Sequence, residues 1–187
     1  GNAMALAARR RQRLALLLVA LPVVPAAESL GSPLEPASPP LADGCARVYL
    51  DVGSNLGVQI RKLFEAEKYP GAGMLPYFDR AFGPPHTRRQ DGDLCAFGFE
   101  PSPALESRLR ALEAAYVAQG WRVRVFTRTL VGTQERAVPF YYYNRTLASL
   151  GSSLDGGHVP TGPEREAPSV AEALEIDFAW FLAHDIG

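Results

Sequence analysis

Residues 48–57 read VYLDVGSNLG, an apolar run that ends in a turn punctuated by Gly53 and Gly57. The pattern predicts a buried strand that leads through a tight turn directly into a helix. A second apolar run, CAFGFEP at residues 95–101, predicts another buried strand that ends in the carboxylate of Glu100. Together the two runs are typical of the two halves of a nucleoside-cofactor site.

The rest of the pattern alternates strands and helices, which is typical of an α/β fold. We predict helices over residues 58–68 and 103–119, a third strand over 122–130, an extended segment over 138–143, and a helix in two pieces over 169–184 with Asp177 capping the second piece. Residues 69–93 are rich in proline and glycine and predict a long loop, in which Arg88 and Arg89 form a solvated surface. Arginines alternate with apolar residues along 122–128, which indicates a strand at the edge of a sheet.

Composition and charge restrict the class of protein. The chain has 187 residues, of which 47% are hydrophobic, and this is enough for one domain with a core. Its 19 basic and 20 acidic residues leave a net charge of -1. Because that balance offers no electrostatic basis for binding nucleic acid, we expect no nucleic-acid partner.

The N-terminal residues 1–28 predict a targeting segment. Four arginines at residues 9–11 and 13 precede an apolar run over 14–27, which ends in small residues typical of a cleavage site. This favours a signal peptide and the secretory pathway, with the protein secreted or in the Golgi or ER lumen. The alternatives are an uncleaved anchor, which would make a membrane a partner, and an organelle import segment. Residues 29–44 predict a linker rich in proline, serine and alanine, and we expect the folded domain over 45–187.

The cysteines and one sequon bear on the compartment. Cys45 precedes Asp51 by six residues and Cys95 precedes Glu100 by five, so the cysteines lie at nearly the same height if these carboxylates end neighbouring parallel strands. A disulfide is compatible with the secretory pathway, and two buried thiols are the alternative. Asn144 begins the sequon NRT, a glycosylation acceptor in that pathway.

The glycine turn and Glu100 form the candidate site. Glycine allows a sharp turn and the close approach of a ligand, and the helix that follows Gly57 presents free N–H groups at its start. The carboxylate of Glu100 is placed to accept hydrogen bonds from ribose hydroxyls. The turn matches neither the dinucleotide pattern GxGxxG nor the P-loop pattern GxxxxGK[ST]. The third class, an S-adenosylmethionine site, uses a shorter glycine turn and an acidic residue after the second strand.

The motifs resemble those of one family. Residues 51–57, DVGSNLG, resemble the first motif of the FkbM-type S-adenosylmethionine-dependent methyltransferases, and residues 97–103, FGFEPSP, resemble the second. Residues 149–154, SLGSSL, are similar to a serine-rich segment that often follows the third strand in this family. Residues 58–79 resemble eukaryotic and algal members, including methyltransferase-like proteins. The resemblance covers about residues 45–183.

The resemblance implies a Rossmann-like fold, S-adenosylmethionine as cofactor and methyl transfer to an oxygen nucleophile. The sequence leaves open whether the acceptor is a small molecule, a glycan, a lipid or a protein. The resemblance also implies that the methionine end is held by Asp51, Gly53, Ser54, Asn55 and Gly57, the ribose by Glu100, and the adenosine by Pro101 and Ser102, with residues 129–131 near the adenine. It assigns no catalytic residue. The histidines lack metal-ligand spacing, so we predict no metal site.

The chain departs from the family pattern after residue 184. Members carry a fourth strand with an acidic, glycine-containing motif at this point, and no such motif follows here. We therefore expect the N-terminal half of the methyltransferase sheet, truncated at its C-terminal end. The alternative to an enzyme is a non-catalytic homologue or fragment that acts only as a binding module.

Overall fold

Three parallel strands form the sheet that organises the chain. They are β1 (Arg47–Val52), β2 (Leu94–Glu100) and β3 (Arg122–Thr127), in the order β1-β2-β3. All seven residues of β2 are buried because strands pair with both of its edges and side chains cover both of its faces. The computed structural model, which describes residues 39–90, 92–142 and 168–187, confirms the predicted α/β class and the edge position of β3 in this sheet.

The first face of the sheet is covered by helices. These are α1 (Val58–Phe64), α2 (Leu75–Phe82), α3 (Pro85–Arg88) and α4 (Glu106–Val117). Ile60, Leu63 and Phe64 of α1 are fully buried in this layer, which agrees with the helix predicted to begin at residue 58. The prediction overextended both long helices, since α1 is followed by a separate 3-10 turn at Ala66–Lys68 and α4 is preceded by another at Pro103–Leu105.

The prediction of a long loop over residues 69–93 was wrong, because α2 and α3 lie within it. Pro76 and Pro85 occupy the first turns of these helices. A first-turn N–H has no intrahelical partner, so a proline there costs no hydrogen bond and begins a helix instead of breaking it. Gly83, with φ 80°, then ends α2. Pro76, Gly83 and Pro85, which contributed to the loop prediction, are therefore helix boundaries.

The expectation that Arg88 and Arg89 are solvated was also wrong. Arg88 is 2% exposed, and it donates hydrogen bonds to the Leu63 carbonyl, at 3.0 Å, and to Asp79. Arg89 donates to the Phe64 carbonyl at the end of α1. The last carbonyls of a helix have no intrahelical partner, so the two guanidinium groups satisfy them and attach α2 and α3 to the core.

A second sheet follows β3. It contains β4 (Thr129–Gly132), β5 (Arg136–Tyr142) and β6 (Ser169–Asp177) in the order β4-β6-β5, with β6 parallel to β4 and antiparallel to β5. The predicted third strand is divided between the sheets at Arg128, whose φ is 55°. The extended segment predicted over 138–143 is confirmed up to Tyr142 as part of β5, and residue 143 lies outside the described residues.

The predicted helix over residues 169–184 was wrong in its first piece, which is β6. Its residues have helical propensity, but β6 pairs with β5 from Ser169 to Glu175, and that ladder overrides a weak local preference. The second piece is helical, as α5 (Phe178–Phe181) and a π-helical turn at Leu182–Ile186. The predicted cap is confirmed, since Asp177 Oδ1 accepts a hydrogen bond from the Trp180 N–H at 3.0 Å.

The second face of the first sheet is covered by both ends of the described chain. Phe99 of β2 stacks on Phe126 and meets Phe178 and Phe181 edge-on, at ring-centroid distances between 5.0 and 5.9 Å. Leu41 and Ala42, from the end of the segment predicted as a linker, pack on the same cluster. A disulfide joins Cys45 to Cys95 of β2 and attaches this segment to the sheet, which decides between the two alternatives for the cysteines.

Several predictions concern residues outside the described ranges. They are the targeting segment at residues 1–28, most of the linker, the sequon at Asn144 and the serine-rich segment at 149–154. Within the described ranges, every helix is too short or too polar to cross a bilayer.

Candidate functional site

The candidate site lies at the carboxyl ends of β1 and β2. Asp51 is the last buried residue of β1, and Glu100 is the last residue of the neighbouring parallel strand. The turn that leaves β1 folds back onto β2, because the N–H groups of Gly53 and Ser54 both donate to the Phe99 carbonyl, at 3.0 and 2.9 Å. The pairing therefore confirms that both predicted carboxylates lie at the same edge of the sheet.

Glu100 connects the turns that follow the two strands. Its Oε2 accepts a hydrogen bond from the Asn55 N–H at 2.7 Å, and its Oε1 accepts one from the Ser102 N–H at 2.9 Å. Asn55 has φ 51°, a left-handed conformation that asparagine tolerates better than most residues. Each carboxylate oxygen has a second lone pair, so Glu100 keeps acceptor capacity while it holds the two turns.

Asp51 carries a buried oxygen that accepts no hydrogen bond within the described residues. The side chain is 6% exposed, and its Oδ1 accepts a hydrogen bond from the Tyr49 hydroxyl at 3.3 Å. Its Oδ2 is buried and has no such partner. A buried acceptor without a partner costs free energy, and in a native protein it is a place where a ligand donor would be stabilising.

The electrostatics of the two carboxylates follow from their burial. Burial raises the pKa of Asp51, against the opposing effects of the neighbouring Ser54 and Tyr49 hydroxyls. Burial also raises the pKa of Glu100, the two backbone N–H donors lower it, and the negative charge of Asp51 raises it further. Of the ion pairs in the described residues, none includes either carboxylate. Such an uncompensated pair favours a ligand group that carries positive charge.

The two glycines of the turn have different surroundings in the structure. Gly53 has φ 77°, and a Cβ added there would meet nothing within 4 Å, so its backbone borders open space. Gly57 has φ 72°, but a Cβ there would lie 2.4 Å from Leu112 Cδ2 of α4. Gly53 is therefore free to approach a ligand, whereas Gly57 allows α1 to pack closely against α4.

The remaining predicted residues are close in sequence to these groups but differ in access. Ser54 is buried, and its hydroxyl donates to the Asp51 carbonyl at 2.9 Å. Ser102 is fully buried and Pro101 is half-buried, both directly after β2. Thr129, predicted to lie near the adenine, is buried at the start of β4.

The residue missed by sequence reasoning is Tyr49. It precedes Asp51 by two positions, so the two side chains lie on the same face of β1. That spacing was available in the sequence, but it does not distinguish a hydrogen-bonded tyrosine from one that only packs.

Two further observations delimit the site. A surface cavity lined by Val138, Pro139, Val170 and neighbouring residues lies on the second sheet, and none of the predicted site residues lines it. The described residues contain no group of three or more side chains arranged to hold a metal ion.

Comparison of the chain with protein-family models, with curated proteins and with solved structures found no match.

Proposed function

We propose that the chain binds S-adenosylmethionine at the carboxyl ends of β1 and β2, as an FkbM-type methyltransferase with a Rossmann-like fold. The observation that carries this proposal is the unpartnered, buried Oδ2 of Asp51 beside the open backbone of Gly53. Open parallel sheets bind their ligands at this edge, outside the carboxyl ends of the strands.

The charge of the site supports a cofactor with a cationic end. S-adenosylmethionine carries an ammonium group and a sulfonium group, and Asp51 and Glu100 are buried carboxylates without a basic partner among the described ion pairs. Asp51 would accept a hydrogen bond from the methionine end. Glu100, whose oxygens each keep a lone pair, would accept from the ribose hydroxyls while it holds Asn55 and Ser102 in place.

The proposed reaction is methyl transfer to an oxygen nucleophile, whose carrier is a small molecule, glycan, lipid or protein. When bound, the cofactor would supply an electrophilic methyl group to the acceptor oxygen, with S-adenosylhomocysteine as the leaving group and the hydroxyl proton released to solvent. The contribution of the described residues is to hold the reacting groups in line, which lowers the barrier by removing translational and rotational freedom.

Calorimetric titration of the full chain with S-adenosylmethionine tests the proposal. We expect saturable binding to the wild-type protein and an affinity lower by about tenfold or more in Asp51→Asn, because a charge-assisted hydrogen bond contributes about 1.5–3 kcal/mol. The matched control is Glu175→Gln, which alters a buried carboxylate paired with Arg136 on the second sheet. Circular dichroism checks that each variant is folded.

The outcomes separate the candidate functions. A folded wild-type chain that does not bind the cofactor would refute the proposal. Saturable binding without transfer of a labelled methyl group to any hydroxyl acceptor would instead favour the alternative function, a non-catalytic binding module.

We also propose that the chain matures in the secretory pathway. The Cys45–Cys95 disulfide supports this, because structural disulfides persist in oxidising compartments and are rare in the cytosol. Expression in cells followed by glycosidase digestion tests it through the sequon at Asn144. A mobility shift that is lost in Asn144→Gln is the expected result, and thiols that stay free in protein taken from cells would contradict it.

A further inference from the structure

Tyr49 lies between the candidate site and α2. Its hydroxyl donates to Asp51 Oδ1, and its ring meets Phe78 and Phe82 of α2 edge-on, at centroid distances of 5.4 and 5.8 Å. The side chain is half-buried, so the ring has little freedom to leave this position. One residue thus contacts both a helix of the first face and the carboxylate with the unpartnered oxygen.

A second bond fixes the strand to the same helix. Arg47, two positions before Tyr49 on β1, donates from Nη1 to the Phe82 carbonyl at the end of α2, at 2.6 Å. Phe78 itself is 2% exposed and belongs to the core. Because α2 is held by Arg47 and by the buried Arg88, the ring of Tyr49 rests on a rigid surface.

We propose that Tyr49 is a positioning residue that orients the Asp51 carboxylate for its ligand. This inference rests on the proposed function. A carboxylate at the end of a strand can rotate about its side-chain torsions, and an ordered carboxylate loses less freedom on binding. With Oδ1 held by the Tyr49 hydroxyl, Oδ2 is the oxygen presented to a ligand donor. The packing of α2 against Tyr49 therefore bears on affinity, although α2 itself contributes no group to the carboxylate pair.

Tyr49→Phe removes the hydroxyl and keeps the ring, so the contacts with α2 are preserved. The matched control is Tyr116→Phe, which removes a hydroxyl that donates to a different carboxylate, Glu65, at 2.8 Å. We expect Tyr49→Phe to weaken binding of S-adenosylmethionine to the full chain about fivefold, the effect of one hydrogen bond. We expect Tyr116→Phe to leave the affinity unchanged. In an Asp51→Asn background, Tyr49→Phe should have a much smaller effect, since Tyr49 acts through Asp51.

A measurement on the ligand-free protein gives an independent readout. The hydrogen bond from Tyr49 lowers the pKa of Asp51, so Tyr49→Phe should raise the pKa of the Asp51 carboxyl. NMR titration of the Asp51 carboxyl carbon measures this pKa. A role for Tyr49 in packing alone would leave that pKa unchanged. Tyr116→Phe, which lies outside the site, should also leave it unchanged.

The outcomes distinguish this inference from the proposed function. Failure of the wild-type chain to bind the cofactor would overturn both. Binding by the wild type together with wild-type affinity in Tyr49→Phe, or an unchanged pKa of Asp51, would overturn the positioning role alone. A fivefold loss of affinity caused by Tyr49→Phe in both the wild-type and the Asp51→Asn background would also overturn it, because Tyr49 would then act by a route other than Asp51.

Discussion

Alanine substitutions at the two turn glycines test the separate roles that the structure assigns to them. Gly53 and Gly57 have nearly the same φ, 77° and 72°, so alanine pays a similar backbone strain of about 1–2 kcal/mol at each position. Alanine also restricts the unfolded chain equally in both variants. The difference between the two substitutions therefore isolates what the added methyl group meets in the folded protein.

The surroundings of the added methyl group differ sharply. At Gly53 it meets nothing within 4 Å, whereas at Gly57 it would lie 2.4 Å from Leu112 Cδ2 and 3.4 Å from Leu109 Cδ2. Leu109 is fully buried and Leu112 is half-buried, so relief has to come from a shift of Leu112. Such overpacking costs about 1–3 kcal/mol. We expect Gly57→Ala to lower the free energy of unfolding by about 2 kcal/mol more than Gly53→Ala.

Equilibrium unfolding in urea measures this difference, followed by circular dichroism and by fluorescence of Trp121, which stacks on Phe64 in the same core at 5.1 Å. Gly120→Ala is the control, because Gly120 also has a positive φ, 80°, and a Cβ added there would meet nothing within 4 Å. Adding Leu112→Ala to Gly57→Ala should recover part of the loss, since the clashing atom is removed. Equal losses in Gly53→Ala and Gly57→Ala would refute the packing role of Gly57.

The same pair of variants also divides binding from stability. Gly53→Ala places a methyl group in the open space where we propose that the ligand approaches the protein backbone, so this variant should bind the cofactor more weakly. Gly57→Ala, once folded, should bind with nearly wild-type affinity. The reverse pattern would contradict the assignment of Gly53 to the ligand.

Two further predictions concern stability. Reduction of the Cys45–Cys95 disulfide opens a loop with a sequence separation of 50, so the free energy of unfolding should fall by about 4 kcal/mol. Urea midpoints with and without reductant measure this loss, and the stability of the control variant Cys45→Ala should not respond to reductant. A loss below about 1 kcal/mol in the wild-type protein would refute the prediction. Arg88→Met leaves the buried Leu63 carbonyl without its donor and Asp79 without its partner, so it should destabilise the fold by about 3 kcal/mol, whereas equal thermal stability in this variant would contradict the anchoring role of Arg88.

The position of the candidate site could be predicted because its signals are local. The apolar runs before Asp51 and Glu100 predicted two buried strands, of which β2 is buried throughout and β1 is mostly half-buried. Neighbouring parallel strands bring their carboxyl ends to one edge. The glycine turn needed a positive φ, which the residue type itself indicates. These features depend on short-range periodicity and on backbone sterics, which a sequence displays directly.

The roles of the residues within the site depended on long-range contacts. Gly57 faces Leu112 on another helix, and the carboxylate of Glu100 accepts a hydrogen bond from the N–H of Asn55, 45 residues earlier. The hydroxyl of Tyr49 is bound to Asp51 because α2 packs against its ring. None of these partners follows from spacing. The sequence therefore predicted the turn and left open which side chains its residues contact.

The sequence by itself determined the α/β class, the strands β1 and β2, the capping of α5 by Asp177 and the edge at which the carboxylates meet. Only the tertiary structure decided that β6 is a strand, that Arg88 is buried and that Cys45 and Cys95 form a disulfide. The physical reason is the same in each case. Local patterns indicate which conformations a segment tolerates, and long-range contacts select one of them. These contacts are the pairing of β6 with β5, the hydrogen bond from Arg88 to a carbonyl of α1, and the packing of the N-terminal segment on the cluster that includes β2.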